Sequence, residues 1–484
     1  MNHANLLSQT FVTADEFTNN ANGPYKVAIT TEGLTKWSST FVDQILDGMA
    51  QSKFPPISGW QQVALVGNVT YTISNLKLTS YTLGGLQATT DPKTKELVIV
   101  MSDFNPDATF DYVGDKVSFP HVHEAGTGSG SLKGATLTVR VNIHPDPVTL
   151  IPTETVTSCL MSVKDMNVSL HGGASWLIDM FVAIFKSTVI RMLEEQGSIQ
   201  GTRIVKQVMH EQLSKWVPYY AFTNGDAWDE RLVGSVEYGD NFAAFTTAGV
   251  TRYMNQSATL PGLSKALPDL INSKALQIFI HEEAIDSMIG TGFRHGYYAG
   301  DATKATAAPS MARFMNTDGW KSSIPGVRGL PSQDLTLHIN ANAKPYVKVF
   351  PAALYVGFDT TVTVKGSISG ELATLNWGTG YSASMTTGPA SDLFLFKFES
   401  YNQTLSVASS NVGDFAVTGP ITAMFKVLGK GVANHLTALY DGSTLGIPTP
   451  LINNVEFSDV ATSYAPPVLQ ITANFEPKKS ADQI

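Results

Sequence analysis

The sequence predicts an α+β fold in which long antiparallel strands dominate and a few long helices are set among them. Three observations carry this expectation. Apolar and polar residues alternate with period two over most of the chain, four segments switch to helical spacing, and those segments recur at matched intervals in the two halves. Composition agrees: of 484 residues, 43% are hydrophobic and only 15% charged, against roughly 25% charged in an average soluble domain. That balance excludes a disordered chain and a long coiled coil. With so little charge, Ser, Thr, Asn and the 40 Gly must cover much of the surface.

The strands are read from alternation. Ala135, Leu137, Val139, Val141 and Ile143 fall on one face, with Thr136, Thr138, Arg140 and Asn142 on the other. Leu335, Leu337, Ile339, Ala341 and Ala343 repeat the pattern, as do Leu469, Ile471, Ala473 and Phe475. Val69, Tyr71 and Ile73 run in one phase and Leu76 and Leu78 in the other, so a β-bulge is expected at Ser74-Asn75. Gly126-Thr127-Gly128-Ser129-Gly130-Ser131 lacks the Gly-Lys-Ser/Thr ending of a phosphate loop and is expected to be a flexible hairpin connection.

Helical spacing appears four times. Leu34, Trp37, Phe41, Ile45 and Met49 fit an amphipathic helix opened by Thr31. Trp176, Leu177, Met180, Phe181, Ile184, Phe185, Val189, Met192 and Leu193 form a broad apolar face, continued beyond Gly197 and Gly201 by Ile204, Val208, Leu213 and Trp216. Ile285, Met288, Ile289 and Phe293 are the third case. Ile421 to Leu439 is the fourth, with Pro420 near its start and Gly442 past its end. Each half therefore reads strand, helix, a run of strands, then a longer helix. The repeat lies in architecture rather than in residue identity, and the loop-rich stretch from Pro218 to Gly262 separates the halves.

Charge and cysteine content narrow the function. The net charge of −9 argues against nucleic acid as partner. Residues 1–250 hold 16 Lys and Arg against 24 Asp and Glu, whereas residues 251–484 hold 16 against 17, so the N-terminal half is the acidic one. Cys159 is the single cysteine, which precludes an intrachain disulfide. Met1 to Asn5 lacks a charged segment followed by an apolar run, so no signal peptide is expected in this chain. The most apolar stretch, Trp176 to Phe185, contains Asp179 and is too short to cross a bilayer.

Several stretches, in order along the chain, carry a resemblance to a known family. They are Ile29-Thr30-Thr31-Glu32-Gly33-Leu34; Cys159 with Val163, Met166, Val168, Leu170, Gly173 and Trp176-Leu177-Ile178; Leu337-His338-Ile339-Asn340-Ala341 with Pro345, Val349 and Pro351; and Leu445-Gly446-Ile447-Pro448-Thr449-Pro450. Together they resemble the family of bactericidal/permeability-increasing protein, lipopolysaccharide-binding protein and the plasma lipid-transfer proteins, the tubular lipid-binding superfamily. The resemblance implies a boomerang-shaped two-barrel fold, each barrel a curved antiparallel sheet wrapped round a long helix, joined by a central sheet. It implies an N-terminal barrel over 20–217, a linker and central sheet over 218–262 with 446–476, a C-terminal barrel over 263–445, and tails at 1–19 and 477–484. It also implies an extracellular or lumenal setting, with a cytoplasmic one left open by the absent signal. The chain departs from the family at the disulfide that usually ties the Cys159 strand to the long helix. Gly197, Ser198, Gln200 and Gly201 stand around the expected partner, so Cys159 is expected to be unpaired. It departs also in lacking the basic tip of lipopolysaccharide binders.

The resemblance turns the apolar helix faces into candidate lipid pockets, lined by Trp37, Phe41, Ile45, Met180, Phe181 and Ile184 in the first barrel. Ile285, Met288, Ile289, Met424, Phe425 and Leu428 are the candidates in the second. Met suits such a wall because it adapts its shape to what it touches; plain core packing is the alternative for each face.

No metal site is expected. His121-Val122-His123-Glu124 has no further clustered ligands, and in Asp103-Phe104-Asn105-Pro106-Asp107 the Gly and Glu of a calcium loop are replaced by Ala108 and Gly114. His171-Gly172-Gly173 lacks a Gly-x-Ser-x-Gly partner, Gly380 to Ser384 fails at its last position, and His281-Glu282-Glu283 has no second histidine. The expectation is therefore a non-enzymatic lipid-binding or lipid-transfer protein without a cofactor, its ligand a phospholipid or similar lipid and its partners transient membranes or lipid particles. A binder of bacterial lipopolysaccharide and a carrier of another apolar small molecule are the alternatives.

Overall fold

The structure is a computed structural model that describes residues 23–63, 67–116, 121–172, 175–253, 260, 263, 267, 274–307, 309, 311–387, 393–440, 445–448 and 455–477. Three larger sheets organise it. A six-stranded central sheet has the opening strand Tyr25–Thr30 and the strand Leu276–His281 at its middle, side by side and antiparallel. Phe242–Thr247 flanks the first and Val468–Pro477 the second; Glu237–Tyr238 and Val455–Ala465 close the two edges. The order is the same read from either edge, which makes the repeat inferred from helix spacing a spatial two-fold arrangement. Phe245, Val27, Ile278 and Ile471 form one buried row across four strands.

Each middle strand runs straight into a helix, Thr31–Ser39 or Glu282–Arg294. The caps match in logic. Thr30 Oγ1 accepts from Gly33 N–H at 3.3 Å, and His281 Nδ1 accepts from Glu283 N–H at 3.2 Å. Burial lowers the His281 pKa, which keeps the acceptor nitrogen free of a proton. The first helix is broken where one continuous helix was expected. Thr40 Oγ1 bonds back to Trp37 O at 2.7 Å, Phe41 leaves helical geometry, and a second helix resumes over Val42–Ala50.

The N-terminal sheet curls round one strand of 21 residues, Glu96–Lys116. Its first half pairs with Gly85–Asp91 and Ala135–Pro145, its second with Gly67–Thr82 and Val122–Lys133. The change of partners falls at Asp103, whose φ is +50°, beside a register shift between Met101 and Phe104. The bulge expected at Ser74-Asn75 is present, with a register shift after Ser74 and Asn75 at φ +53°. The Gly126–Ser131 stretch is not a hairpin connection but part of the strand Val122–Lys133. Its glycines make room for large neighbours: a Cβ on Gly128 or Gly130 would run into the Phe110 ring or the Met166 thioether.

The long helix Ser175–Leu213 closes this sheet without a break at Gly197 or Gly201. It is tied to the strand Pro152–Ser162 and the turn after it. Met161 N–H donates to Ser198 Oγ at 3.1 Å and Val163 N–H to Glu194 Oε1 at 2.9 Å. In the C-terminal half, Gly300–Ala302, Leu335–Ala341, Ala353–Gly366, Gly370–Thr387, Leu393–Ser410 and Ile447–Pro448 form a second curled sheet, with Tyr346–Phe350 paired to Ala353–Gly366. The helix Gly419–Leu439 lies in its concavity, anchored by Thr437 Oγ1, which accepts from Phe398 N–H at 3.0 Å, and by Gln403 Nε2 donating to Thr422 O at 3.2 Å.

The barrel boundaries expected from sequence shift at three points, one being Ile447–Pro448, which the range 446–476 gives to the central sheet and which pairs with Leu393–Ser410 in the C-terminal sheet. Tyr25–Thr30 and Leu276–His281, given to the barrels by 20–217 and 263–445, belong to the central sheet. Alternation identifies a strand but not the sheet it joins. The 218–262 stretch also holds a small sheet of Tyr219–Ala221, Asp226–Asp229 and Val250–Tyr253. Its interior is charged. Arg231 grips the buried Asp229 carboxylate through Nε at 3.0 Å and Nη2 at 2.8 Å, Arg252 Nε adds a contact at 3.1 Å, and both guanidiniums lie over the Tyr219 ring. Next to it Trp228 Nε1 donates to Glu230 Oε1 at 2.5 Å, and burial raises the Glu230 pKa to about 8.

Candidate lipid-binding site

The apolar core of the C-terminal half is divided. One buried cluster extends from the N-terminal barrel through the central sheet to Tyr298, Phe358 and Leu436; a second holds Met311, Trp377, Phe425 and Leu428. Between them lies a cavity of about 390 Å³. The helix Gly419–Leu439 supplies one wall through Val427, Leu428, Gly431, Val432, His435 and Leu436. The opposing sheet supplies Ala302, Ile339, Phe358, Thr360, Trp377 and Thr379, and Tyr297 and Tyr298 complete the end nearest the central sheet.

The floor is largely apolar, and its polar groups are internally bonded. Phe358, Trp377 and Leu436 are buried, and the Thr360 hydroxyl donates to Trp377 O at 2.6 Å. Trp377 Nε1 donates out of the way to Gln403 Oε1 at 3.2 Å. Tyr298 OH donates to Ile289 O at 2.9 Å and shares a 2.5 Å hydroxyl contact with Tyr440. Burial pushes both phenols well above their ordinary pKa, so no charge develops at that wall. The rim is exposed: Gly300, Asp301, Thr306, Gly431 and His435. An apolar floor below a polar rim is the arrangement that takes up the hydrocarbon part of an amphiphile and leaves its polar end in water.

Of the residues expected from sequence, Leu428 lines this cavity. Met424 and Phe425 sit one turn earlier on the same helix, in the far core cluster, where Phe425 meets the Trp377 ring edge-on at 5.2 Å. Ile285, Met288 and Ile289 are buried in the other cluster, behind Tyr298. The cavity therefore opens between the two groups instead of being lined by both. In the N-terminal half Phe41 and Ile45 are buried and Trp37 is half-buried, its ring edge-on to Phe41 at 5.1 Å. The Met180, Phe181 and Ile184 side chains lie outside those described. The short helix meets the long one at its far end, with Gly48 against Ile204 and Gln44 against Gln212. Periodicity identifies an apolar face, not which stretch of a 39-residue helix meets which neighbour.

Cavity residues such as Phe358, Trp377 and Tyr298 escape sequence reasoning because they come from separate strands and a loop. The features weighed as other sites are structural. His123 pairs with Asp115 at 2.5 Å, and the Asp107 carboxylate accepts from Ser80 and Ser131 within the sheet. Among the described residues no group of three or more His, Cys, Asp or Glu is placed to hold a metal ion. Nor is any described helix long and apolar enough to cross a membrane. Burial raises the Cys159 thiol to about 12, which makes it a poor nucleophile.

Two curled antiparallel sheets, each holding a long helix and joined through a shared central sheet, define a two-barrel α+β protein. A solved structure of lipopolysaccharide binding protein has this fold: it superposes with a TM-score of 0.67 at 18% identity, covering 95% of this chain and all of that one. Residues 33–199 match the model of the LBP / BPI / CETP family, N-terminal domain. A BPI/LBP family protein of Arabidopsis thaliana is 23% identical over 363 residues, 73% of this chain and 72% of the relative. Lipopolysaccharide-binding protein of Bos taurus is 22% identical over 485 residues, 97% of this chain and 95% of the relative. Over residues 33–199 the chain carries an LBP / BPI / CETP family N-terminal domain, and its likeness to members of that family extends over most of its length.

Proposed function

We propose that the protein is a non-enzymatic carrier of acyl lipids, phospholipid-like in having a hydrocarbon part and a polar head, working in an extracellular or lumenal setting. The observation that supports this reading best is the cavity of about 390 Å³ between the C-terminal helix and its sheet, with an aromatic, apolar floor and a polar rim. Each methylene buried there gains ~0.8 kcal/mol, enough for a short chain to be held against water. The proposal rests on this cavity and not on the pocket expected in the N-terminal half. Lipopolysaccharide, the ligand in the name of the bovine relative, is disfavoured by the acidic N-terminal half, where 24 Asp and Glu outnumber 16 Lys and Arg.

Gly431 gives a direct test. It lines the cavity, and a Cβ there would meet nothing within 4 Å. Gly431→Phe sets a ring at the mouth from a Cβ in open space and replaces a poor helix former. Uptake of a fluorescent fatty-chain probe is expected to fall at least ten-fold in the variant while the melting temperature holds or rises. Unchanged uptake in a folded variant, or no extractable lipid and no probe uptake in the parent protein, removes the reading.

A further inference from the structure

We infer that the C-terminal cavity selects an amphiphile with a cationic or uncharged head, and that Asp301 is the residue that sets this preference. The inference rests on the lipid-carrier reading and deepens it. Volume comes first. At about 390 Å³ the cavity is of the size that takes up the hydrocarbon part of a small ligand.

Charge comes second. Among the described residues lining the cavity, Asp301 is the sole carboxylate, and neither Lys nor Arg is present. It sits on the rim strand Gly300–Ala302, where the His338 ring contacts its Oδ1 at 2.6 Å through Nδ1 and fixes the carboxylate in place. A chain entering between Phe358, Trp377 and Leu428 leaves its head at this rim, beside Asp301 and the half-buried Tyr297 ring. A phosphate or carboxylate head meets a like charge there with no cation from the lining to offset it. An ammonium head meets a carboxylate and an aromatic face, both of which attract it.

The test uses three ligands with the same twelve-carbon chain, below their micelle concentrations and at pH 8: dodecyltrimethylammonium, dodecanol and laurate. Each displaces the neutral probe N-phenyl-1-naphthylamine from the full-length protein. The expected order is ammonium, then alcohol, then laurate, with about ten-fold between the ends, the size of one unit charge interacting across a few ångströms of partly aqueous medium. Asp301→Asn is expected to compress that spread to within about three-fold, and Asp301→Lys to invert it. Equal binding of all three ligands by the parent protein, or an order untouched by Asp301→Lys, overturns the inference and leaves the carrier reading intact. Displacement by none of the three removes both. Melting curves for each variant separate lost selectivity from lost folding.

Discussion

The Sγ of Cys159 lies 2.7 Å from the position a Cβ on Gly201 would occupy. The strand and the long helix thus meet at the point where a bridging cysteine would sit, with the helix partner reduced to a hydrogen. Of the four positions considered from sequence, 201 is the one aligned with the sulfur; at 197 a Cβ would instead crowd Met161. Gly201→Cys is expected to bridge to Cys159 under oxidising conditions. Closing a loop of about forty residues would add ~3–4 kcal/mol. Non-reducing mass analysis and melting with and without reductant check this. Two free thiols persisting after oxidation would count against the geometry.

Phe425 and Leu428 are one turn apart but differ in what surrounds them. Phe425 is enclosed and packs on Trp377, so Phe425→Ala is expected to cost ~3–5 kcal/mol. Leu428 already borders empty space, so Leu428→Ala should fall near ~2 kcal/mol and lengthen the preferred alkyl chain. Denaturant titration and a chain-length binding series measure the two effects. A larger loss at 428 than at 425 contradicts the placement of the cavity.

Glu230 makes stability depend on pH. Its carboxyl is raised to about 8 by burial, the Trp228 hydrogen bond opposes this, and the neighbouring Asp229 charge adds to it. Below the ordinary value of 4.5 both folded and unfolded chains hold the proton and the full stability is present. Between 4.5 and about 8 the unfolded chain ionises while the folded one does not, so stability falls as pH rises, with the loss complete above about 8. At 1.4 kcal/mol per pKa unit the upper bound on the loss is ~5 kcal/mol. Glu230→Gln keeps an acceptor for Trp228 without the titration. Its advantage over the parent in denaturation midpoint is expected to widen from pH 5 to pH 9, and a constant difference would refute the assignment.

Asp229 is the hub of the charged interior. Asp229→Ala leaves Arg231 and Arg252 without their shared carboxylate in a buried setting, at an expected ~3–5 kcal/mol. Replacing it by Asn, which still accepts one hydrogen bond, should cost less. Urea denaturation of the two variants gives the comparison.

The strands, the bulge at Ser74-Asn75 and the two-fold repeat were legible because each rests on local alternation or on spacing along the chain. The hinge at Thr40-Phe41 was not, since a side-chain hydroxyl turning back to Trp37 leaves the apolar spacing intact. The Gly126–Gly130 stretch misleads for a related reason. Repeated glycine signals flexibility unless the rings that need the room, here Phe110 and a sulfur from Met166, are known to lie across the strand. Helix faces were correctly seen as apolar, but the cavity arises from which residues fail to meet. Leu428 belongs to it and Phe425 does not, a distinction that one helix alone cannot encode.

The opening strand Tyr25–Thr30 has a consequence for how the chain is made. Both of its neighbours, Phe242–Thr247 and Leu276–His281, are more than two hundred residues further along. During synthesis this segment leaves the ribosome early and stays without a ladder partner until more than two hundred further residues have followed. The sheet is completed only when Val468–Pro477 arrives. Such high contact order makes closure of the centre a late and slow step. Until then two unpaired strand edges stand open to wrong partners. The junction that unites the two barrels is thus also where the nascent protein is most exposed to misassembly.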